Sequence, residues 1–431
     1  MASPSAPLSA TVVTERAANG SDHYKIAFDL TRDVKIDIPG PLGPKPVDDI
    51  ASDLLDIAMG VYFLERDQRK KAETNRVRQV QARLPVRNRD FWVPLEEPLC
   101  ALLRFMGGHD WRVKFVRSSA EVYAAEATVE RKCRKVVLNS GGMDATCGLS
   151  SLINDSARVQ LASFYTLNSR IQRGIAEDLG FEEPSRMRAV WRDRTERRGN
   201  GALSYRSFLF LSFGAVVARS FGASKLLQFE NGVMARAVAP AASYFTTRHA
   251  HPKTHRLFQE FVSAAGFEVA IENPFRSMTK GEEVAACRRT LRSARADRLL
   301  ALTDSCWYFH YQRVPVRYGG GSIPKSPRRH CGICIPCLIR RAAFGDSDYV
   351  FNPCSPPAIK VDAKNFSYNY RALQAFCSIV MQTKNGPEFR RAMYRNGIDI
   401  DSEAGTWEEL QQLYRRFAAE FLRAFGDAGA P

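Results

Sequence analysis

The chain has 431 residues, enough for two or three domains, and 45% of them are hydrophobic, as in globular proteins. Its 62 lysines and arginines exceed its 46 acidic residues, and this formal charge of +16 favours anionic partners such as nucleotides, nucleic acid or acidic proteins. The N-terminus lacks the pattern of a secretory signal, and the most apolar run, residues 208–218, is too short to span a bilayer. We therefore expect a soluble, cytoplasmic protein without a membrane partner.

Residues 1–130 are predicted to form an N-terminal α+β region. Alternating apolar residues over 24–40 predict antiparallel strands closed by a Pro-Gly turn. Residues 47–65 have the apolar spacing of a helix, and the basic segment 66–83, interpreted as helical, follows them.

Strands alternate with helices in residues 131–350. The candidate strands are residues 135–139, 158–166, 186–191, 225–230 and 267–275, with amphipathic stretches at 206–222 and 253–266. This alternation predicts an α/β fold with a doubly wound parallel sheet, whose ligand binds beyond the carboxyl ends of the strands. A Pro-rich joint leads into a third region, 351–431, with helical spacing to about residue 425.

The sequence "SGGMD" joins the first of these strands to a predicted helix. Gly141 and Gly142 can turn successive N–H groups toward one anion, and Ser140 and Thr146 add hydroxyl donors. Asp144 is placed to hold a magnesium ion against phosphate oxygens. A tight turn without a ligand is the alternative. The loop has neither the lysine of the common phosphate loop nor the third glycine of the dinucleotide fingerprint, so a different nucleotide family is implied.

A cysteine cluster, "CGICIPC", predicts a metal site. Its three thiols belong to Cys331, Cys334 and Cys337. Thiolates at this spacing wrap one zinc ion readily, and a fourth protein ligand would make the site structural. Cys306 is the candidate fourth ligand, with His310 and His330 as alternatives. Free buried thiols or a redox pair are the alternatives to a metal.

Five polar residues near these motifs are candidate site residues. Lys280 and Arg340 could neutralise phosphate or carboxylate charge, although an isolated basic residue is more often solvated. Arg206, at a helix start, either faces the same cleft or makes a helix-end salt bridge. Glu230 and Asn231 end a strand on the ligand side, where a β-turn is the alternative to substrate contact.

Three histidines in "RHAHPKTH" are candidate metal ligands. They are His249, His251 and His255. Since no carboxylate accompanies them in the matching register, we interpret them as a solvated helix start.

The chain contains four motifs in the order "LNSGGMDAT", "YRSFLFLSFGAVVARSFGAS", "ENPFRSMTKGEEV" and "CGICIPCLIR". Together they resemble the QueC family of 7-cyano-7-deazaguanine synthases, which belong to the N-type ATP pyrophosphatases, or PP-loop proteins. The similarity covers roughly residues 134–345. It implies that Lys280 is a conserved-motif lysine of the family. Together with the positions of the other candidates, this leads us to expect catalytic roles for Asp144, Lys280 and Arg206, and substrate contacts by Glu230, Asn231 and Arg340. The implied pyrophosphate loop consists of Ser140, Gly141, Gly142, Asp144 and Thr146, and we expect Met143, which lies within it, to bind ATP as well. The implied zinc ligands are Cys306, Cys331, Cys334 and Cys337.

The resemblance also implies a reaction. The family uses ATP and Mg²⁺ to adenylate the carboxylate of 7-carboxy-7-deazaguanine, lets ammonia attack, and dehydrates the amide to a nitrile with a second ATP. A carboxylate resists amines at neutral pH because its leaving group would be oxide, whereas an acyl-adenylate releases AMP. Fixed N–H donors and basic side chains would stabilise the charge that builds on the departing pyrophosphate.

The chain departs from the family pattern at several places. Ala145 replaces a serine of the loop, which should weaken phosphate binding by about 1–2 kcal/mol. The segment between Cys306 and Cys331 is longer than the family's spacer, and "FYTLNSR" lacks the Tyr and Gln pattern expected after the second strand. The regions before residue 131 and after residue 350 are additions.

Enlarged QueC-like proteins of the QatC type occur in bacterial anti-phage operons and resemble ligases that place the deazaguanine on a protein amine. We therefore expect an ATP-dependent amide-forming enzyme whose N-terminal region selects a protein acceptor from the same operon. An ordinary nitrile synthase using ammonia is the first alternative. A PP-loop tRNA-modifying enzyme, which the basic charge would suit, and a non-catalytic nucleotide-sensing subunit are the others.

Overall fold

A computed structural model describes most of the chain. The described residues are 8–15, 21–68, 78–165, 168–192, 204–236, 248–306, 330–345, 349, 351–354, 368–396 and 407–425. The chain divides into two compact units, the first made of residues 1–140, 152–228 and 247–273, and the second of residues 141–151, 229–246 and 274–431. The regional limits at residues 130 and 350 stay predictions.

The strands belong to the first unit. In chain order they are β1 (Leu8–Glu15), β2 (Ser21–Phe28), β3 (Val34–Asp37), β4 (Pro41–Leu42), β5 (Arg78–Val86), β6 (Asp110–Arg117), β7 (Ala127–Thr128), β8 (Lys135–Leu138), β9 (Val159–Phe164), β10 (Ser185–Trp191), β11 (Lys225–Leu227) and β12 (Ala270–Glu272). They form a six-stranded sheet, a four-stranded sheet and the short pair β4–β7.

The six-stranded sheet is the centre of the first unit. Its order is β12-β11-β8-β9-β10-β3. The first five strands are parallel, and β3 joins β10 antiparallel at one edge. The five strands predicted over residues 135–275 are all present, so the α/β class with a mostly parallel sheet is confirmed. Strand order reverses between β8 and β11, the place where open α/β sheets usually bind ligands.

The four-stranded sheet, in the order β2-β1-β5-β6, contains most of the N-terminal strands. Two of the strands, β2 and β3, overlap residues 24–40, but they join different sheets, because β2 pairs with β1 while β3 pairs with β10. Residues 78–83 of the basic segment lie in β5 and not in a helix. The reason is their period of two, with Val80 and Ala82 buried between exposed Gln79, Gln81 and Arg83. Residues 69–77 of that segment lie outside the described residues.

Helices cover the sheets of the first unit. They are α1 (Leu30–Asp33), α2 (Asp49–Gln68), α3 (Arg89–Trp92), α4 (Glu96–Gly107), α6 (Ser169–Asp178), α7 (Arg206–Phe221) and α9 (Pro252–Ala264), with 3₁₀ turns at Val93–Leu95 and Ile153–Arg158. Side chains of α2, β5, β6, α7 and α9 share one hydrophobic core. Glu65 of α2 accepts hydrogen bonds from the N–H groups of Ser204 (2.8 Å) and Tyr205 (3.0 Å), which would otherwise lack partners at the start of α7.

The described part of the second unit is helical. Its helices are α5 (Met143–Ser150), α8 (Gly232–Ala235), α10 (Lys280–Leu291), α11 (Ser293–Leu302), α12 (Ile335–Phe344), α13 (Tyr368–Gln382), α14 (Gly386–Arg395) and α15 (Trp407–Phe425). Apolar faces of α8 and α12–α15 form its core. Among the described residues of the chain, no helix combines the length and apolar character that crossing a membrane requires.

Candidate functional site

The glycine loop joins β8 to α5. Gly141 has a φ of 74°, a conformation that favours glycine, and Gly142 is the extended N-cap residue of α5. The Thr146 hydroxyl donates to the Gly142 carbonyl at 2.9 Å, so in this state it supports the first helical turn. Met143 is fully buried and contributes packing. The N-terminal N–H groups of α5 therefore lie where the sequence placed an anion cradle.

Four predicted site residues meet beside this helix: Asp144, Glu230, Asn231 and Lys280. The Lys280 ammonium donates to Oδ2 of Asp144. The other oxygen, Oδ1, accepts from the backbone N–H and the side-chain amide of Asn231, both at 3.0 Å. The same amide lies 3.3 Å from Oε1 of Glu230. The residues come from three separated stretches of sequence, so the fold gathers them into one polar cluster.

A fifth member of this cluster, Glu283, has no counterpart in the sequence predictions. It is fully buried on α10, and its Oε2 lies 3.9 Å from the Lys280 ammonium. Its carboxyl group also interacts with the Asp144 carboxylate, which influences the pKa values of both groups. Its position three residues after Lys280, on the same helix face, is the only sequence signal that pointed to it.

Burial and neighbouring charges shift the pKa values of the ionisable groups in the cluster in different directions. Burial would raise the pKa of Asp144, but the Lys280 ammonium and the surrounding hydrogen bonds outweigh burial and hold that pKa well below its usual value. For Lys280, burial is likewise outweighed by the carboxylates, Asp144 first, so its pKa is raised. Burial, followed by the Asp144 charge, raises the pKa of Glu283 well above its usual value. At neutral pH the cluster thus contains an Asp144–Lys280 ion pair beside an uncharged Glu283.

The C-terminal helix α15 fixes the start of α10, where Lys280 lies. Glu420 accepts from the Thr279 hydroxyl at 2.7 Å and from the Gly281 N–H at 3.0 Å. Thr279 and Glu282 also form a capping box there. A carboxylate at this helix end satisfies orphan N–H groups and complements the helix dipole. This contact could not be predicted from the sequence, because 139 residues separate Gly281 from Glu420.

The cysteine cluster lies in the same unit. Its four thiols belong to Cys306, Cys331, Cys334 and Cys337, all of them buried, and their sulfur atoms lie within 4.8 Å of one another. The Sγ atoms of Cys331 and Cys337 are 3.7 Å apart, and the N–H groups of Ile333 and Cys334 point at Cys331 Sγ, each at 3.4 Å. Gly332, with a φ of 83°, makes the turn that brings these groups inward.

This set could bind a metal such as zinc, and Cys306 supplies the fourth sulfur. Hydrogen bonds from the other three thiols lower the pKa of Cys306, so one thiolate is favoured even before a cation arrives. Burial raises the pKa values of Cys334 and Cys337, which opposes a second thiolate unless a cation offsets it. Of the two alternative histidines, His310 lies outside the described residues, and His330 packs beside the Tyr349 ring.

The remaining predicted residues are not in the cluster. Arg340 is fully buried on α12 and donates to the Thr303 hydroxyl at 2.7 Å and the Leu300 carbonyl at 2.9 Å, so it ties α12 to the end of α11. Ser140 and Arg206 belong to the first unit and are exposed. The Arg206 guanidinium lies over the Phe210 ring, 5.6 Å from its centroid. Their ligand-binding roles stay predictions.

The three histidines begin a helix, as interpreted, but two of them are buried and not solvated. His251 caps α9 by accepting from the Lys253 N–H at 3.1 Å. His255 lies 2.9 Å from Oε1 of Gln228, and burial lowers its pKa to about 3. His251 and His255 therefore stabilise local structure in the first unit.

Comparison with known proteins adds no family to these observations. No protein-family model matches the chain, and no curated protein is significantly similar to it. The functional argument therefore depends on the two features of the second unit, the polar cluster at the starts of α5 and α10 and the four-cysteine group.

Proposed function

We propose that this protein is a PP-loop ligase that uses ATP to adenylate a 7-deazaguanine carboxylate and then joins the acyl group to an amine through an amide. The observation that carries the proposal is the meeting of Asp144, Asn231 and Lys280 at the start of the helix that follows the glycine loop. These residues come from separate stretches of the sequence, and residues chosen at random from such stretches would not be expected to lie in contact.

The proposed roles follow from the groups present. The glycine loop and the first N–H groups of α5 would bind the phosphates. Lys280 supplies a permanent positive charge, since its pKa is raised, and would stabilise the pyrophosphate as the substrate carboxylate attacks the α-phosphorus. Asp144 remains ionised, as a residue that holds Mg²⁺ with its bound nucleotide must be. Asn231 keeps Asp144 in place.

The four-cysteine group fits a structural zinc ion. Its ligands are buried and all come from the protein, so no position is left for substrate. Zinc bound there would contribute folding free energy and would join Cys306 to the turn before α12.

The acceptor in this proposal is the N-terminal amine of a partner protein. An α-amine is less basic than lysine and is more often neutral, and therefore nucleophilic, near pH 7. Strand addition is a suitable way to present an extended N-terminal segment. In the four-stranded sheet, the outer edge of β6 is occupied, since the N–H groups of Val113 and Phe115 donate to Cys100 and Glu96. The other edge strand is β2, which we propose for the acceptor segment.

Intact-mass spectrometry tests the proposal. The enzyme is incubated with ATP, Mg²⁺, 7-carboxy-7-deazaguanine and the proteins encoded beside it. We expect AMP, pyrophosphate and one acyl addition on a partner's N-terminus. Lys280→Met should abolish all three, whereas Arg289→Ala, an exposed change on the same helix, should not. Nitrile formation from ammonia without a mass gain would identify an ordinary synthase, and the absence of AMP and pyrophosphate would refute the ligase.

A further inference from the structure

Arg236, at the end of α8, is a buried cation outside the polar cluster. Only 3% of its surface is exposed. Its Nη1 donates to the carbonyl oxygens of Gly232 at 2.8 Å and Arg276 at 2.9 Å, which uses both hydrogens of that nitrogen. The guanidinium is thereby held in one orientation.

Among the residues that the structure describes, the opposite edge of the same guanidinium has no partner. Its Nε is buried and has no hydrogen-bond partner among the described residues, and no hydrogen bond from Nη2 is seen there either. The Nε and Nη2 donors are parallel, which is the geometry that holds a carboxylate or phosphate through two bonds. A buried donor without a partner costs free energy, and an acceptor from outside the described chain that bound this edge would remove that cost.

No carboxylate balances the charge of Arg236 within the described chain. Burial lowers the pKa of Arg236, and a second cation, Arg276, lowers it further. The segment that follows it, residues 237–247, contains no Asp or Glu. A buried arginine is ordinarily paired with an anion because its desolvation is costly.

We infer that Arg236 binds an oxyanion, a carboxylate or a phosphate, along its Nε–Nη2 edge. The exposed Arg276 is a second positive charge close enough to affect the pKa of Arg236. The hydroxyl of Tyr414 is buried without a hydrogen-bond partner in the described chain and offers another donor in the same interior. The two carbonyls that orient Arg236 belong to the segments leading from Asn231 and into Lys280, so binding here would stabilise the polar cluster. The inference does not depend on the proposed reaction.

The alternative is that Arg236 only clamps two carbonyls together. Thermal unfolding of the full chain separates the two roles, because a ligand that binds the folded protein raises its melting temperature. The probes are inorganic phosphate, pyrophosphate and 7-carboxy-7-deazaguanine, each compared with sodium chloride at equal ionic strength. We expect at least one probe to raise the melting temperature, and the responsive probe tells phosphate from carboxylate.

The variant Arg236→Lys keeps the charge and a donor for the carbonyls but removes the two-bond edge. Its affinity for the responsive probe, measured by calorimetry, should fall at least tenfold, while the exposed change Arg289→Lys should leave it unaltered. No response of the native protein to any probe would overturn the inference, and so would equal affinity in Arg236→Lys. Neither readout requires turnover, so failure of the ligase proposal would leave the result standing.

Discussion

Removing both partners of the Asp144–Lys280 pair should destabilise the protein by clearly less than the sum of the two single removals. Both side chains are buried, at 9% and 5% exposure. Lys280→Met leaves the Asp144 carboxylate without a cation beside another acid, Glu283, and a buried ion left in this way typically costs about 3–5 kcal/mol. Asp144→Asn should cost less, about 2–3 kcal/mol, because Glu283, 3.9 Å from the ammonium, can ionise and replace the lost charge.

The double variant has no unpaired charge, so we expect a coupling energy of about 1.5–3 kcal/mol between the two sites. The measurement is equilibrium urea unfolding of the four proteins at pH 7.5. The exposed pair Lys225–Glu272, 2.8 Å apart, serves as the control cycle and should give less than about 1 kcal/mol. If the effects of Asp144→Asn and Lys280→Met add to within about 0.5 kcal/mol, the buried ion pair is not part of the native structure.

Further predictions concern metal, pH and packing. Cys334→Ser should lower the zinc content measured by atomic emission, the melting temperature and the soluble yield, while exposed Cys354→Ser should change none of them. Burial lowers the pKa of His255 from 6.5 in the unfolded chain to about 3 in the folded protein, so the free energy of unfolding decreases as the pH falls below 6.5, by about 3 kcal/mol at pH 4. His255→Gln should remove this part of the pH dependence in urea titrations. An unchanged pH profile would refute the prediction. Gly232→Ala places a Cβ 2.2 Å from a backbone oxygen and should destabilise by about 1–3 kcal/mol, whereas Gly386→Ala, with open space, should be nearly neutral in the same assay.

The sequence predicted the elements of the sheet well because their signals are local. Apolar runs bounded by turn residues located β8–β12, and the glycines after β8 marked the start of α5. The spacing of the cysteines likewise predicted a group that the fold does assemble, and Cys306 joins it although 25 residues separate it from Cys331.

Pairing and burial could not be predicted in the same way. Alternation identifies a strand's two faces but not its neighbour, which is why β3 was expected beside β2 and instead joins β10. His255 was interpreted as solvated because the sequence does not show that Gln228, on another segment, satisfies its ring. Glu420 is far in sequence from the start of α10 that it contacts, and the one sequence signal for Glu283, its place three residues after Lys280, is too weak to predict a role in the site.

The way β3 closes the sheet restricts how this protein can be cut or recombined. Without residues 34–37, β10 would present an unpaired edge, and without Glu65 the start of α7 would lose its acceptor. Exposed strand edges template aggregation. An expression fragment beginning near residue 131 would therefore be expected to precipitate, and a chimera would need to carry β3 and α2 together with the sheet that they complete.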